Sequence, residues 1–209
     1  MFILHELGES SAAWYGVASY IKNQSFVTVR PESGTFLSNT GTSYVKLWNA
    51  ILDSNRYDDV KFISDIIDYM LINYDSIDHD RIYVLGSSNG GYMAYRLACD
   101  LSYRIAAFTS VAGNMFLDDD GYDCIDQGRD NPILHIHGKK DPINSYYPGG
   151  NGVDILDDQY LTIIESIDFW SNYHNYEILQ IYTILTDVSV RKIYSYNSSP
   201  STFEHIQVI

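Results

Sequence analysis

Arg81-Ile82-Tyr83-Val84-Leu85-Gly86-Ser87-Ser88-Asn89-Gly90-Gly91-Tyr92-Met93-Ala94-Tyr95-Arg96 decides the fold of this 209-residue chain. Ile82 to Leu85 is a short apolar run of the kind that makes a buried strand, and Tyr92, Met93, Tyr95, Leu97 and Ala98 recur at helical spacing. Between them lies Gly86-Ser87-Ser88-Asn89-Gly90, a G-x-S-x-G pentapeptide. Alone the pattern is weak, because Gly and Ser are common residues. Set between a strand and a helix, it specifies a sharp turn from which the hydroxyl of Ser88 projects. Glycines two residues to either side keep Cβ atoms out of the crowded crossing. The helix that follows aims its first N–H groups and the positive end of its dipole at any oxyanion formed there. Ser88 is therefore the candidate nucleophile.

Working outward, Phe2 to Leu4 reads as a buried strand end, followed by the small and polar loop His5-Glu6-Leu7-Gly8-Glu9-Ser10-Ser11. A helix is expected over Ala12 to Ile21 and a strand over Ser25 to Val29, ended by Pro31. Glu32 to Asn55 reads as a long loop, and Tyr57 to Tyr74 as a helix with Val60, Ile63, Ile66, Ile67, Met70 and Leu71 on one face. Beyond the central stretch come strands over Ile105 to Val111 and Pro132 to His137, then a helix over Leu161 to Asn172. Val188 to Ser195 and Phe203 to Ile209 are the last expected strands. Alternating strands and helices predict an α/β fold, with a mostly parallel central sheet and helices on both faces.

The bulk numbers narrow the function classes. At this length, with 45% hydrophobic residues, one globular domain spanning residues 1–209 is expected. Twenty-seven acidic against 13 basic residues give a net charge of -14, which disfavours nucleic acid and anionic membrane as partners. No run of about 18 apolar residues suggests a membrane span, and the first residues lack the features of a signal peptide. Cys99 and Cys124 form no C-x-x-C pair and carry no metal-ligand spacing, so no metal site is expected. They fit buried thiols or one loop-closing disulfide equally well.

A serine on such a turn needs an acid and a histidine later in the chain. Asp141 lies just past the apolar strand Ile133-Leu134-His135-Ile136, where its carboxylate is suited to orient and stabilise an imidazolium. The plainer reading is a turn-capping aspartate beside Pro142. Trp48, in the long loop, fits a substrate-binding aromatic or a core anchor.

Phe62-Ile63 with Asp78-x-x-Arg81-Ile-Tyr-Val, Ser88-Asn-Gly-Gly-Tyr-Met-Ala-Tyr-Arg-Leu-Ala-Cys99, Ser110-Val-Ala-Gly113 and Leu134-His-Ile-His-Gly138 followed by Asp141 together resemble an α/β-hydrolase family. That family contains polyhydroxybutyrate depolymerases, feruloyl esterases and acetylxylan esterases, and the resemblance covers most of the chain. It implies a secreted serine esterase, extracellular or periplasmic, that acts on small-molecule or polymer esters without a cofactor. Ser88 becomes the nucleophile and Asp141 the triad acid. It also implies a Cys99–Cys124 disulfide. The oxyanion hole then uses the N–H of Asn89 and one from the loop after Phe2 to Leu4, where relatives have His-Gly and this chain has His5-Glu6-Leu7-Gly8. Leu7 is the expected second donor, and the Glu6 carboxylate is an irregular neighbour for developing negative charge.

No histidine fits the third role well. His5 belongs to the oxyanion loop, His79 precedes the central strand, His135 and His137 lie on the strand before Asp141, and His174 ends a helix pattern. His205 follows Asp141 in order but sits inside an expected strand, which disfavours it as base. In the resembling family the base lies in a Gly-Gly-His-Trp type loop after a strand like Glu204 to Ile209, and two strands precede the one resembling Phe2 to Leu4. A portion of a longer esterase, or a truncated form, is therefore expected. Two further readings stand beside the hydrolase: a catalytically impaired binding or scaffold protein, and an acyltransferase using the same serine.

Overall fold

The protein is described by a computed structural model. It describes residues 1–22, 24–37, 41–51, 53–116, 124, 129, 131–147, 160–173, 177–183, 189–195 and 202–208, the last three segments through their backbone pairing. Along the chain run β1 (Phe2–Leu4), α1 (Tyr15–Lys22), β2 (Thr35–Leu37), β3 (Tyr44–Lys46), α2 (Asp59–Asn73), β4 (Tyr83–Ser87) and α3 (Asn89–Asp100). Then follow β5 (Ala107–Val111), β6 (Ile133–Gly138), α4 (Ile163–Tyr173), β7 (Glu177–Thr183), β8 (Ser189–Ser195) and β9 (Thr202–Val208).

Seven strands form one sheet in the order β1-β4-β5-β6-β9-β8-β7. The first five in that order are mutually parallel, and β8 and β7 extend the edge in antiparallel fashion. Parallel neighbours need crossover connections, and α3 between β4 and β5 is one of them. It is buried from Asn89 to Cys99, because it packs directly on β4, β5 and β1. Its apolar residues Met93, Leu97 and Ala98 join Leu4, Val84, Ile105 and Phe108 in one core with Ile63 and Ile67 from α2. α2 starts where Asp58 caps it, accepting the Lys61 N–H at 2.8 Å.

Several expected elements are corrected. The helix expected from Ala12 begins at Tyr15, after a turn over residues 11–14. The strand expected over Ser25 to Val29 shrinks to a single parallel bridge of Val29 with Phe2, Ser25 having entered left-handed backbone at φ 67. The long loop after Pro31 contains a short antiparallel pair, β2 with β3, in register Phe36↔Val45. β7 is a strand that the sequence pattern left unassigned. Cys99 and Cys124 are joined in a disulfide with Cα atoms 4.9 Å apart, tying the C-terminal turn of α3 to the segment between β5 and β6.

Candidate active site

The C-terminal ends of β1, β4 and β6 bring the expected site residues to one edge of the sheet. Ser88 sits between β4 and α3 with φ 51 and ψ -120, a conformation that a residue with a side chain adopts only where its surroundings hold it there. What holds it is a tight crossing of backbones. A Cβ on Gly86 would collide with the carbonyl of Gly90, and one on Gly90 with the carbonyls of Leu4 and His5. One on Gly113, beyond β5, would lie 2.7 Å from the Ser88 carbonyl. The Ser88 N–H donates to the Val111 carbonyl at 2.8 Å, and its own carbonyl accepts from Gly91 and Tyr92.

The loop after β1 is pinned at both ends. His5 is fully buried; its Nδ1 meets the Glu6 carbonyl at 2.8 Å while its Nε2 accepts the Ser33 N–H at 3.1 Å. These contacts fix the neutral tautomer with hydrogen on Nδ1. Trp48 Nε1 donates to the His5 carbonyl at 3.0 Å, and the Gly8 N–H to the Lys46 carbonyl at 2.8 Å. Between these anchors the Leu7 N–H has no acceptor among the described residues, and neither has the N–H of Asn89 at the start of α3. The Glu6 carboxylate is engaged by the neighbour of the candidate nucleophile: Ser87 Oγ donates to Glu6 Oε1 at 2.7 Å.

Of the two readings open for Trp48, a substrate-binding aromatic and a core anchor, its burial matches the core anchor. It is 1% exposed, its ring tilts against His5 at 5.1 Å, and its backbone is held by the side chain of Asn89. It acts on the site from beneath, by fixing the loop that carries Leu7.

Asp141 lies three residues past β6, half-buried in a tight turn. Its Oδ1 accepts the N–H groups of Ile143 and Asn144, both at 2.9 Å, so it does cap a turn, and its Oδ2 lies 3.3 Å from His137 Nε2. His137 is not a base for Ser88. Its Nε2 faces Asp141 and the Asn144 carbonyl at 3.1 Å, and its Nδ1 faces His135 Nε2 at 3.3 Å, so both nitrogens are occupied. Burial pulls its pKa below the usual imidazole value, against the opposing pull of the Asp141 carboxylate and the Asn144 carbonyl, so the ring is held neutral. His135 is occupied likewise, by His137 and by the Tyr95 hydroxyl at 2.6 Å. His79 is exposed beside Asp80, and His174 lies outside the described residues. His205 falls in the middle of β9, where the register pairs it with His135 on one side and Lys192 on the other.

A cavity of about 520 Å³ lies at the other ends of the strands, lined by Phe2, Val29, Ile67, Met70, Ile82 and Tyr83 among others, and takes no part in this site. Among the described residues one His/Cys/Asp/Glu cluster has metal-ligand proximity, the exposed run Asp78, His79 and Asp80, and it too lies away from Ser88 in a surface turn before β4.

Comparison with known proteins agrees with this architecture. The bifunctional acetylxylan esterase/xylanase XynS20E of Neocallimastix patriciarum is 31% identical over 139 residues, a match spanning 66% of this chain and 17% of that enzyme. The acetyl xylan esterase from Aspergillus awamori superposes with a TM-score of 0.68 at 16% identity, covering 99% of this chain and 80% of its own. The Bacillus cereus carboxylesterase does so with 0.52 at 17% identity, covering 69% and 67%. At these identities the two structures speak for the fold. A family model described as Phospholipase/Carboxylesterase matches residues 1–160, and the chain accordingly belongs to that esterase family of the α/β-hydrolase fold.

Proposed function

We propose that this chain is the fold of a serine carboxylic ester hydrolase in which Ser88 is acylated. The observation that carries the reading is the left-handed Ser88 at the β4–α3 turn, followed by the Asn89 N–H and flanked by the loop after the neighbouring strand β1 that carries the Leu7 N–H, neither N–H having an acceptor among the described residues. Ser88 Oγ attacks the ester carbonyl, the tetrahedral oxyanion takes hydrogen bonds from Leu7 and Asn89, and the alcohol leaves with a proton. Water then releases the acid from the acyl-serine. The proton that passes from Ser88 to the alcohol needs an imidazole other than His5, His79, His135 and His137, and Asp141 is the acid that would orient and stabilise that imidazolium. No metal or organic cofactor enters these steps.

The substrate class we favour is small acyl esters on polysaccharide, because the Neocallimastix relative is named an acetylxylan esterase/xylanase. An extracellular setting is supported by the Cys99–Cys124 disulfide, a bond that persists in oxidising compartments.

A second reading has its own observation. His5, His135 and His137, the buried imidazoles whose side chains are described, have both ring nitrogens occupied and none is free for Ser88, which favours a fold whose esterase activity is impaired. Turnover of p-nitrophenyl acetate and labelling by a fluorophosphonate probe, each compared with Ser88→Ala, separate the two. Ser88-dependent labelling with turnover supports the hydrolase; labelling at the level of Ser88→Ala rejects it for this chain. His205→Ala is expected to leave labelling unchanged, and its abolition in a folded variant would make His205 the base.

A further inference from the structure

The candidate nucleophile and the candidate acid come from different strands, and side chains beneath them join the two. Tyr95, two helical turns after Ser88 on α3, is fully enclosed, and its hydroxyl lies 2.6 Å from His135 Nδ1. His135 and His137 alternate on β6, so both rings point to the same face of the sheet; they stack with planes 10° apart, Nε2 of the first 3.3 Å from Nδ1 of the second. His137 Nε2 then reaches the Asn144 carbonyl at 3.1 Å and Asp141 Oδ2 at 3.3 Å. Tyr92, a turn before Tyr95, makes a second tie to the same loop by donating to Asn144 Oδ1, and Asn144 Nδ2 donates to the Ala112 carbonyl at 2.7 Å.

The direction of every hydrogen bond in the chain follows from its far end. A carbonyl and a carboxylate only accept, so His137 carries its hydrogen on Nε2 and presents a bare Nδ1. His135 must therefore donate from Nε2, which leaves its own Nδ1 bare to accept the Tyr95 hydroxyl. With His137 neutral, the bonds from Asn144 to Tyr95 are satisfied in one orientation of the two rings, and reversing one ring would set donor against donor or acceptor against acceptor. Buried networks of this kind are rigid when complete and costly when one member is lost.

We infer that Tyr95, His135 and His137 form a one-way hydrogen-bonded chain that fixes the Asp141 loop against the helix carrying Ser88, with His137 as the positioning residue for the Asp141 carboxylate. The inference rests on the reading of Ser88 and Asp141 given above. His137 holds Oδ2 from one side while the Ile143 and Asn144 N–H groups hold Oδ1, so the carboxylate cannot rotate about its bond to Cβ without losing contacts at both oxygens. Its influence on ester hydrolysis is exerted through the aim of Asp141 and not by contact with substrate.

The test compares His137→Leu with His137→Gln, whose amide N–H can occupy the place of Nε2, by kcat and KM for p-nitrophenyl acetate and by thermal midpoint. Long-range proton–nitrogen NMR reads the histidine tautomers of the wild type. Expected are hydrogen on Nε2 of both His135 and His137, a kcat about tenfold or more lower in His137→Leu with KM nearly unchanged, and recovery of most of that loss in His137→Gln. Equal kcat losses in the two folded variants, or a wild-type His137 with hydrogen on Nδ1, would overturn the inference. If the wild type shows no Ser88-dependent turnover, the esterase reading fails by itself, and the tautomers still decide whether the one-way chain exists.

Discussion

The side-chain amide of Asn89 grips the backbone of Trp48 at both polar groups: Oδ1 accepts the Trp48 N–H at 2.7 Å and Nδ2 donates to the Trp48 carbonyl at 3.2 Å. The residue whose own N–H is the proposed oxyanion donor therefore also fastens the β3–α2 loop, from 41 residues away in sequence. Asn89→Ala would leave the buried Trp48 N–H without a partner, at about 1–3 kcal/mol, while the Trp48 carbonyl still accepts the Ala50 N–H at 3.0 Å. The expected result is a fall of about 1–3 kcal/mol in unfolding free energy by urea titration, together with slower fluorophosphonate labelling at Ser88. Stability equal to wild type would show that the grip contributes nothing.

Glycine substitutions should divide sharply by location. Gly86→Ala and Gly90→Ala place a methyl group against backbone carbonyls that cannot move aside, whereas a Cβ on Gly138 at the end of β6 meets nothing within 4 Å. Gly86→Ala is expected to lose about 3 kcal/mol or more, or to yield no soluble folded protein, while Gly138→Ala stays within about 0.5 kcal/mol of wild type. Comparable thermal midpoints for the two variants would contradict the crossing geometry.

Asp59 gives the stability a pH dependence. Burial at the start of α2 raises its carboxyl from 3.8 to about 6, outweighing the Asn49 N–H that it accepts at 2.7 Å, and the Asp58 charge adds to the rise. The folded protein thus binds this proton more tightly than the unfolded chain does. Its contribution to stability is complete below pH 4, is lost as pH climbs through about 6, and remains lost above, a change of about 3 kcal/mol. Asp59→Asn, which keeps an acceptor for Asn49, should match wild type near pH 4 and exceed it at pH 7.5. A wild-type-to-variant difference in urea midpoint that is the same at both pH values would sink this account.

The disulfide closes a loop of 25 residues between Cys99 and Cys124. Chain entropy alone assigns such a crosslink about 3.5 kcal/mol. Cys99→Ala with Cys124→Ala should lower the unfolding free energy by roughly that amount. Intact mass after alkylation in denaturant checks the bond itself, since addition of alkyl groups to both cysteines without prior reduction would mean free thiols.

What could be read from the sequence was what local sterics decide. Gly86, Ser88 and Gly90 have few ways to connect a strand to a helix, so β4 and α3 were legible within about two residues, as were β5, β6 and α2, whose apolar periods match the faces that they bury. Elements that exist through distant pairing were not legible. β2 and β3 are three residues each and are strands because Phe36 meets Val45; β7 is a strand because β8 lies beside it; and the expected strand ending at Val29 has only Phe2 to pair with. The choice between the two readings of Trp48 was not legible for the same reason, since nothing near it in sequence points to Asn89. The chain from Tyr95 to Asp141 did leave a trace: His135 and His137 share a strand face and lead directly into the acid loop, a spacing that suits buried partners of Asp141 better than incidental core histidines.

Leu7, Ser88 and Asp141 each follow a different strand, β1, β4 and β6, within four successive strands of the same parallel sheet. The crossing beneath Ser88 cannot accept even one methyl group, whereas a Cβ on Gly138, three residues before Asp141, meets nothing within 4 Å. Tolerance to change is therefore distributed very unevenly around one small site. A lineage built on this plan can vary what surrounds the turn far more freely than the turn itself, and Ser88 stays where Gly86, Gly90 and Gly113 pin it.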